Sequence, residues 1–422
     1  MCSDDIQRLN GIKKELTLDK SKKILFLSNR GLLPVKDGHT RRSFNILKGL
    51  AQNNQIYFLS LFETPDEVTD NNIQQLKKIC HQVEFLPSPP KKISLGMIIR
   101  LIRSIFSLDP YTIWRHYSRP FLKRVDELIS SGRFNLVHCD ILPICYTVRN
   151  RNNIFRSVTD HDVSYLKCLS MARDEKNALL KMFMLLEARK LKRLEKNIFK
   201  QVDLGIVVSE LDKSNLQKLC PDGNFLVVEN GVEIDKFIPD TDQQQKTKLL
   251  WLGGFGHYPN KQGILFFLNE VYPLVKKEVP GVSMDIIGGG ITDELRRLTQ
   301  MDSSLNLIGH VDDPLPYLQR ATVFVAPIFS GGGTKLKVLE AMAAGKAVVT
   351  TRVGCEGIDG MPGQHYLVAD DSHLFAMHVV RLLNDESLRT TLQINARKIV
   401  SAEYDFDEIC RKLDSYYNRA LS

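Results

Sequence analysis

The sequence is short of several things, and each shortage removes an explanation. No apolar run approaches the roughly 18 residues that a membrane helix needs. The first twenty residues, MCSDDIQRLNGIKKELTLDK, are polar and mixed in charge. They lack the apolar core of a signal peptide, so a cytoplasmic location is expected. The eight cysteines (2, 80, 139, 145, 168, 220, 355 and 410) form no C-x-x-C pair and read as reduced thiols. Cys and His show no metal-site spacing, so no metal is expected. There is no P-loop and no G-x-G-x-x-G fingerprint, which disfavours hydride chemistry. No repeat or low-complexity tract is visible. Basic and aromatic residues do not interleave, so nucleic acid is not an expected partner.

What is present is a chain of 422 residues, long enough for two domains, with 43% apolar and 25% charged residues. The net charge of +8 is unevenly placed. Residues 91–124 hold Lys91, Lys92, Arg100, Arg103, Arg115, Arg119, Lys123 and Arg124 against one acid, Asp109, which is nearly the whole excess. Within this stretch, KKISLGMIIRLIRSIFSL (91–108) is basic and amphipathic. It reads either as a helix docking on an anionic membrane surface or as a helix packed on the sheet with solvated arginines.

Strands and helices alternate almost throughout, which predicts an α/β fold with parallel sheets. Strands are expected at 23–28, 55–62, 83–87, 135–140, 157–161, 204–209 and 226–230. The polar stretch 235–248 reads as a linker. The alternation then restarts with strands at 248–254, 284–290, 305–311, 323–328 and 347–351. A second sheet with its own core follows. Two such domains leave a cleft between the carboxyl ends of their strands, where ligands bind.

The strongest signal lies after one of these strands: SGGGTKLKVLEAMAAGK (330–346). A glycine turn at Gly331, Gly332 and Gly333 leads into a helix expected over 334–344. That geometry aims free backbone N–H groups at a ligand and favours an anion. Thr334, Lys335 and Lys337 are the polar and cationic groups there, and Glu340 is an acceptor placed for a hydroxyl. A phosphate at one end and a sugar hydroxyl at the other describe a nucleotide. Four other positions follow the same logic. Gly38, with His39 and Thr40, precedes a helix expected over 41–50, where Thr40 can cap. His161 stands at a strand end between Asp160 and Asp162, which can fix its tautomer. Gly254 and Lys261 flank the start of another helix, and Lys261 can reach a phosphate. The glycines of IIGGG (286–290) fit tight packing nearly as well as ligand approach. Glu229-Asn230-Gly231 is read as a structural turn.

Taken together, GGGTKLKVLEAMAAGKAVVTT resembles the donor-site signature of retaining GT-B glycosyltransferases of family 4. It is most similar to bacterial sugar transferases with a GGGT-x-L-K-x-L-E-A-M-A motif. The resemblance implies two doubly wound Rossmann-like domains: 22–238 on the acceptor side, 247–403 for the nucleotide-sugar donor, and a terminal helix at 404–422 crossing back. It implies that Glu340 binds the donor ribose, that Lys337 and the Gly333–Thr334 turn lie near the diphosphate, that His161 lies near the donor sugar, and that Val311 lies beside the base. The common family pattern has a second acid upstream of Glu340; here the glycine run, Gly333 included, stands in its place. The expected activity is transfer of a hexose from a nucleotide diphosphate sugar to a glycan or lipid-linked hydroxyl, with retention and without a cofactor or metal. The alternatives are a sugar-nucleotide epimerase or hydrolase of the same fold, and a non-catalytic nucleotide-sugar-binding partner in polysaccharide assembly.

Overall fold

The computed structural model describes residues 22–422 except 36, 91–94, 241, 243 and 332. Two separate parallel sheets organise it. The first has seven strands: β1 (Lys23–Ser28), β2 (Gln55–Phe62), β3 (Gln82–Pro87), β4 (Leu136–Cys139), β5 (Phe155–Asp160), β6 (Leu204–Val207) and β7 (Phe225–Val227), in the order 3-2-1-4-5-6-7. The second has six: β8 (Lys248–Leu252), β9 (Ser283–Ile287), β10 (Leu305–Gly309), β11 (Val323–Ala326), β12 (Ala347–Thr350) and β13 (Leu367–Val368), in the order 10-9-8-11-12-13. Each order reverses once, between β1 and β4 and between β8 and β11. These reversals open the crevices in which α/β sheets bind ligands.

The central strands are near-continuous apolar runs because helices cover both faces. On one face of the first sheet Leu25, Leu27, Val137 and Val158 meet Phe121, Val125, Leu194 and Ile198. On the other, Ile24, Phe26 and Ile56 meet Leu47 and Leu50. The C-terminal helix Phe406–Ala420 buries Phe406, Ile409, Leu413 and Tyr417 in that same first-domain cluster. Each such side chain contributes about 1.5–3 kcal/mol on burial, so the last residues of the chain clamp the first domain. An ion pair between Lys22 and Asp414 (3.0 Å) fastens the joint. In the second domain Leu249, Trp251, Val323 and Val325 pack on Ile264, Phe267 and Phe375.

Several boundaries differ from expectation for one reason. Strands expected to run to 230, 254, 290 and 311 end at Val227, Leu252, Ile287 and Gly309. Their last residues bend out of the sheet at the cleft. The two-residue β13 is too short to show a period in sequence. The basic amphipathic segment forms the helix Leu95–Phe106, while 91–94 lie outside the described residues. It does not pack its apolar side on the sheet: Ile98, Ile99, Ile102, Ile105 and Phe106 are 43–87% exposed. Among the described residues no helix is long and apolar enough to cross a membrane.

Candidate functional site

The second-domain edge of the cleft begins where β11 ends. Gly331 and Gly333 have φ of +99° and +71°, a region that L side chains rarely adopt, and nothing lies within 4 Å of where a Cβ would stand. Conformation, not space, calls for glycine there. Gly332 lies outside the described residues. Thr334 is buried, and its Oγ1 donates to the Gly357 carbonyl (3.1 Å). The helix starts at Leu336, two residues later than expected, and runs to Ala343. Lys335 is its N-cap, and its side chain makes no cap bond to the first amides. The Lys335 ammonium turns back to the carbonyls of Gly331 (3.1 Å) and Gly333 (2.5 Å).

Lys337 is held more tightly. Its Nζ donates to Asn260 Oδ1 (2.7 Å) and the Leu252 carbonyl (3.0 Å), and it sits 5.2 Å from the centre of the Trp251 ring. Burial, with Lys335 adding repulsion, brings its pKa down to about 7. Glu340 is 5% exposed and pairs with Arg41 of the first domain. Burial pushes its carboxyl up against the opposing pull of Arg41.

Not every expected residue joins this edge. Lys261 turns outward to Glu294 (3.3 Å), and its neighbour Asn260 reaches Lys337 instead. Val311 follows β10 and packs against the cluster that holds Leu252 and Ile287. Gly254 faces open space, its nearest neighbour to a Cβ being the Gly289 carbonyl at 4.0 Å. A Cβ on Gly288, by contrast, would stand 1.9 Å from the Gly253 carbonyl, so packing accounts for that glycine.

The first-domain edge starts after β1. The helix Gly38–Ala51 begins at Gly38, not at 41, and its N-cap is Asp37, not Thr40. Asp37 accepts from the Thr40 amide (2.8 Å), while the Thr40 hydroxyl accepts from the Asp37 amide (3.1 Å), a reciprocal cap. A Cβ on Gly38 would lie 3.2 Å from Leu336 Cδ1, so the two helix starts face each other across the cleft. Beside the Arg41–Glu340 pair, a second polar contact spans the crossing: Asn230 Nδ2 donates to the Thr334 carbonyl (3.1 Å). Arg42, buried, donates to the carbonyls of Val228 and Glu229 and to Asn230 Oδ1. The segment read as a plain turn is therefore the joint between domains.

His161 stands at the end of β5 as expected, but its neighbours in sequence are not its partners. Asp160 lies beside Glu195 and Ser164, and Asp162 pairs with Lys167. The imidazole instead donates from Nε2 to the carbonyl of Asp140 (2.6 Å) and lies against His39, ring centres 4.1 Å apart. Burial and then His39 hold the His161 pKa well below its ordinary value, so the ring is neutral at neutral pH. Asp140 is 2% exposed. Burial would raise its carboxyl, but His138, His161 and His39 facing it hold it below the usual range.

Asp140, Arg41 and Asn260 were not singled out from the sequence. Asp140 carried a signal, since it directly follows the strand LVHC just as His161 follows its own. Arg41 carried none, because an arginine on a helix surface is ordinary.

With this geometry in view, residues 246–385 match the family model described as Glycosyl transferases group 1. The chain is 26% identical over 358 residues to a Klebsiella pneumoniae protein called an uncharacterized 44.6 kDa protein in the cps region, covering 82% of this chain and 87% of that one. It is 29% identical over 230 residues to the Staphylococcus aureus capsular polysaccharide biosynthesis glycosyltransferase CapM, covering 51% of this chain and 59% of CapM. The structure of Anabaena HepE in complex with UDP and glucose superposes with a TM-score of 0.66 at 14% identity, over 94% of this chain and all of that one. The fold is GT-B. Family match, relatives and fold together support a GT-B glycosyltransferase, and the two Rossmann-like domains place its cleft between the edges described above.

Proposed function

We propose that the protein is a retaining glycosyltransferase that moves a hexose from a nucleotide diphosphate sugar to a hydroxyl of a glycan or lipid-linked acceptor. The observation that carries this reading is the second-domain edge. A helix start whose N-cap side chain makes no cap bond, Lys335 and Lys337 gather positive charge beside a buried acceptor, Glu340, and the neutral His161 stands at a strand end of the other domain. Rupture of the glycosidic bond leaves negative charge on the leaving diphosphate. Lys337, Lys335 and the amides at Gly333–Thr334 would stabilise that charge as it develops, which is what preorganised donors do. Glu340 would accept from the ribose hydroxyls, with Arg41 moving aside or staying as a neighbour to the phosphates. His161, neutral and with its Nε2–H held by the Asp140 carbonyl, would accept from a sugar hydroxyl at Nδ1. The diphosphate needs no metal in this scheme, because the lysines supply the charge. HepE, a structure bound to UDP and glucose, and CapM, named for capsular polysaccharide biosynthesis, support a sugar nucleotide and a glycan as the two substrates.

A thermal-shift screen with UDP, GDP, ADP, TDP and CMP, then their sugars, tests the donor site. A ligand at 100 times its dissociation constant stabilises the fold by about 2.7 kcal/mol. A single responding base would define the donor. No shift with any of them would defeat the reading of 330–346.

The exposed apolar face of the Leu95–Phe106 helix, flanked by Arg100 and Arg103, supports peripheral docking on an anionic membrane, suited to a lipid-linked acceptor. Liposome flotation should show binding that depends on anionic lipid and weakens with salt. Ile102→Glu should abolish it, and absence of flotation at low salt would overturn it.

A further inference from the structure

We propose that Asp160 and Glu195, two buried carboxyls sharing a proton, are the positioning residues that hold His161 at the first-domain edge. Asp160 is the last residue of β5 and directly precedes His161. It is 3% exposed, and Glu195, on the helix Ala178–Gln201, is fully buried. Between β5 and the helix Ser164–Asp174 the chain turns through His161, Asp162 and Val163. Val163 is the N-cap of that helix and offers no side-chain oxygen to its first amides. Glu195 supplies one from outside. It accepts from the Tyr165 amide at Oε1 (3.2 Å) and from the Ser164 amide, and its side chain meets that of Asp160. One carboxyl thus grips the turn at both ends, with His161 between them.

The proton follows from what the pair lacks. Neither carboxyl has an ion pair among the described residues, and Asp162 adds repulsion at Asp160. Two adjacent buried carboxyls without a cation cannot both ionise. Asp160 Oδ2 and Glu195 Oε2 are buried with no hydrogen-bond partner among the described residues, and a buried polar atom left bare needs an explanation. One proton held between the carboxyls provides it. Amide donors favour an ionised acceptor, so Glu195 is the acceptor of the pair. Asp160, which accepts from the Ser164 hydroxyl (3.3 Å), carries the proton and donates it to Glu195. Burial raises both groups, in keeping with a proton retained at neutral pH. His161 depends on this grip because its ring is otherwise held by one hydrogen bond, from Nε2 to the Asp140 carbonyl, and by contact with His39. A looser turn would swing Nδ1, the nitrogen left to accept from a sugar hydroxyl. The inference rests on the proposed function for what His161 does, and on the geometry alone for how it is held.

The test reads the ring itself, in imidazole nitrogen NMR spectra of the full chain from pH 5.5 to 8. The His161 signal is assigned by its loss in His161→Ala. The parent should show one neutral tautomer, protonated at Nε2, and no titration, since burial and then His39 hold its pKa well below the ordinary value. Glu195→Met keeps the buried bulk and removes the acceptor. There the ring should average between tautomers and titrate near its ordinary pKa of about 6.5. Asp160→Ala serves as a second variant if Glu195→Met fails to fold, and circular dichroism checks each. Asp160→Asn should match the parent, because its amide donates to Glu195 as the protonated acid does. A ring left fixed in folded Glu195→Met or Asp160→Ala overturns the positioning role. A ring freed by Asp160→Asn overturns the shared proton. The nucleotide thermal shift should be unchanged in all three variants. The ring signal does not depend on turnover, so a failed positioning role and a failed transferase reading give different results.

Discussion

The two edges of the cleft are built on opposite plans. On the second-domain edge, one contiguous stretch supplies glycine turn, helix start, two lysines and Glu340, and its chemistry is largely backbone and cation. On the first-domain edge, His39 comes from a helix start and Asp140 and His161 from two strand ends, far apart in sequence, and its chemistry is imidazole and carboxylate. The first plan fixes positions through local geometry. The second fixes them only through the packing of β1, β4 and β5 side by side. The edges should therefore differ in how they fail: a point change on the donor side should remove chemistry, and one on the other side should also loosen its neighbours.

The largest effect is expected from Lys337→Ala. Loss of one preorganised donor to developing charge costs about 10²–10³ in kcat. The fold should survive, with the Leu252 carbonyl and Asn260 left to water. The same lysine gives a sharper readout. With its pKa near 7 in the free protein, it is largely neutral at pH 8 and must gain a proton when a diphosphate binds beside it. Calorimetry of nucleotide binding at pH 8 in buffers of different ionisation enthalpy should detect this proton uptake, and Lys337→Ala should lack it. An active Lys337→Ala enzyme would break the comparison at its donor end.

On the other edge, His161→Ala is expected to cut turnover by about 10²-fold, the lower range for a lost proton-handling or orienting group. His161→Gln should recover part of it, because the ring acts here as a neutral hydrogen-bonding group. Since burial holds the ring neutral, turnover should show no inflection near pH 6.5. Such an inflection, lost in His161→Ala, would show that the imidazole works as an acid or base instead.

Between the edges stands the Arg41–Glu340 pair. Arg41→Ala should destabilise the fold by about 1 kcal/mol, because Arg41 is itself partly exposed and solvent already screens the pair. It should also raise the Glu340 pKa further, since the carboxyl keeps its burial and loses its cation. Denaturant unfolding checks the first and a nucleotide titration against pH the second.

The difference between edges also explains what could be read from the sequence. The alternation of strand and helix, both sheets and the glycine-lysine stretch were legible because each is local: a period, a turn, a helix start. The Lys261–Glu294 pair was not legible, because only the folded chain brings Glu294 within reach of Lys261. The partners of His161 were misread because adjacent residues on a strand end point away from each other, so neither Asp160 nor Asp162 faces the ring. The acid that does face it lies 21 residues earlier, on the neighbouring strand β4. No spacing rule joins His39, Asp140 and His161, which is why their meeting at one edge was not legible. For Leu95–Phe106 the sequence left two readings open, since an amphipathic pattern states that one face is apolar but not what covers it.

The smallest effect expected is also the one that separates the edges by sign. Beside the first edge, burial raises Asp160 well above its ordinary value and brings Glu195 up to about 7. The folded protein then holds protons that the unfolded chain has released, so this pair contributes stability below pH about 4.5 that is lost as pH rises towards 7. On the second edge Lys337 does the reverse. The unfolded chain keeps the proton up to its ordinary pKa near 10.5 while the folded chain gives it up near 7, so stability rises with pH across that window. Melting temperature followed from pH 4.5 to 7 should fall less in Glu195→Gln than in the parent. From pH 7 upward it should rise less in Lys337→Met. Each kcal/mol corresponds to about 2–4 °C for a domain of this size, so both differences should amount to a few degrees. If Glu195→Gln left the lower limb unchanged, the carboxyl would be solvated in the folded protein, and burial would not be what sets the first edge apart.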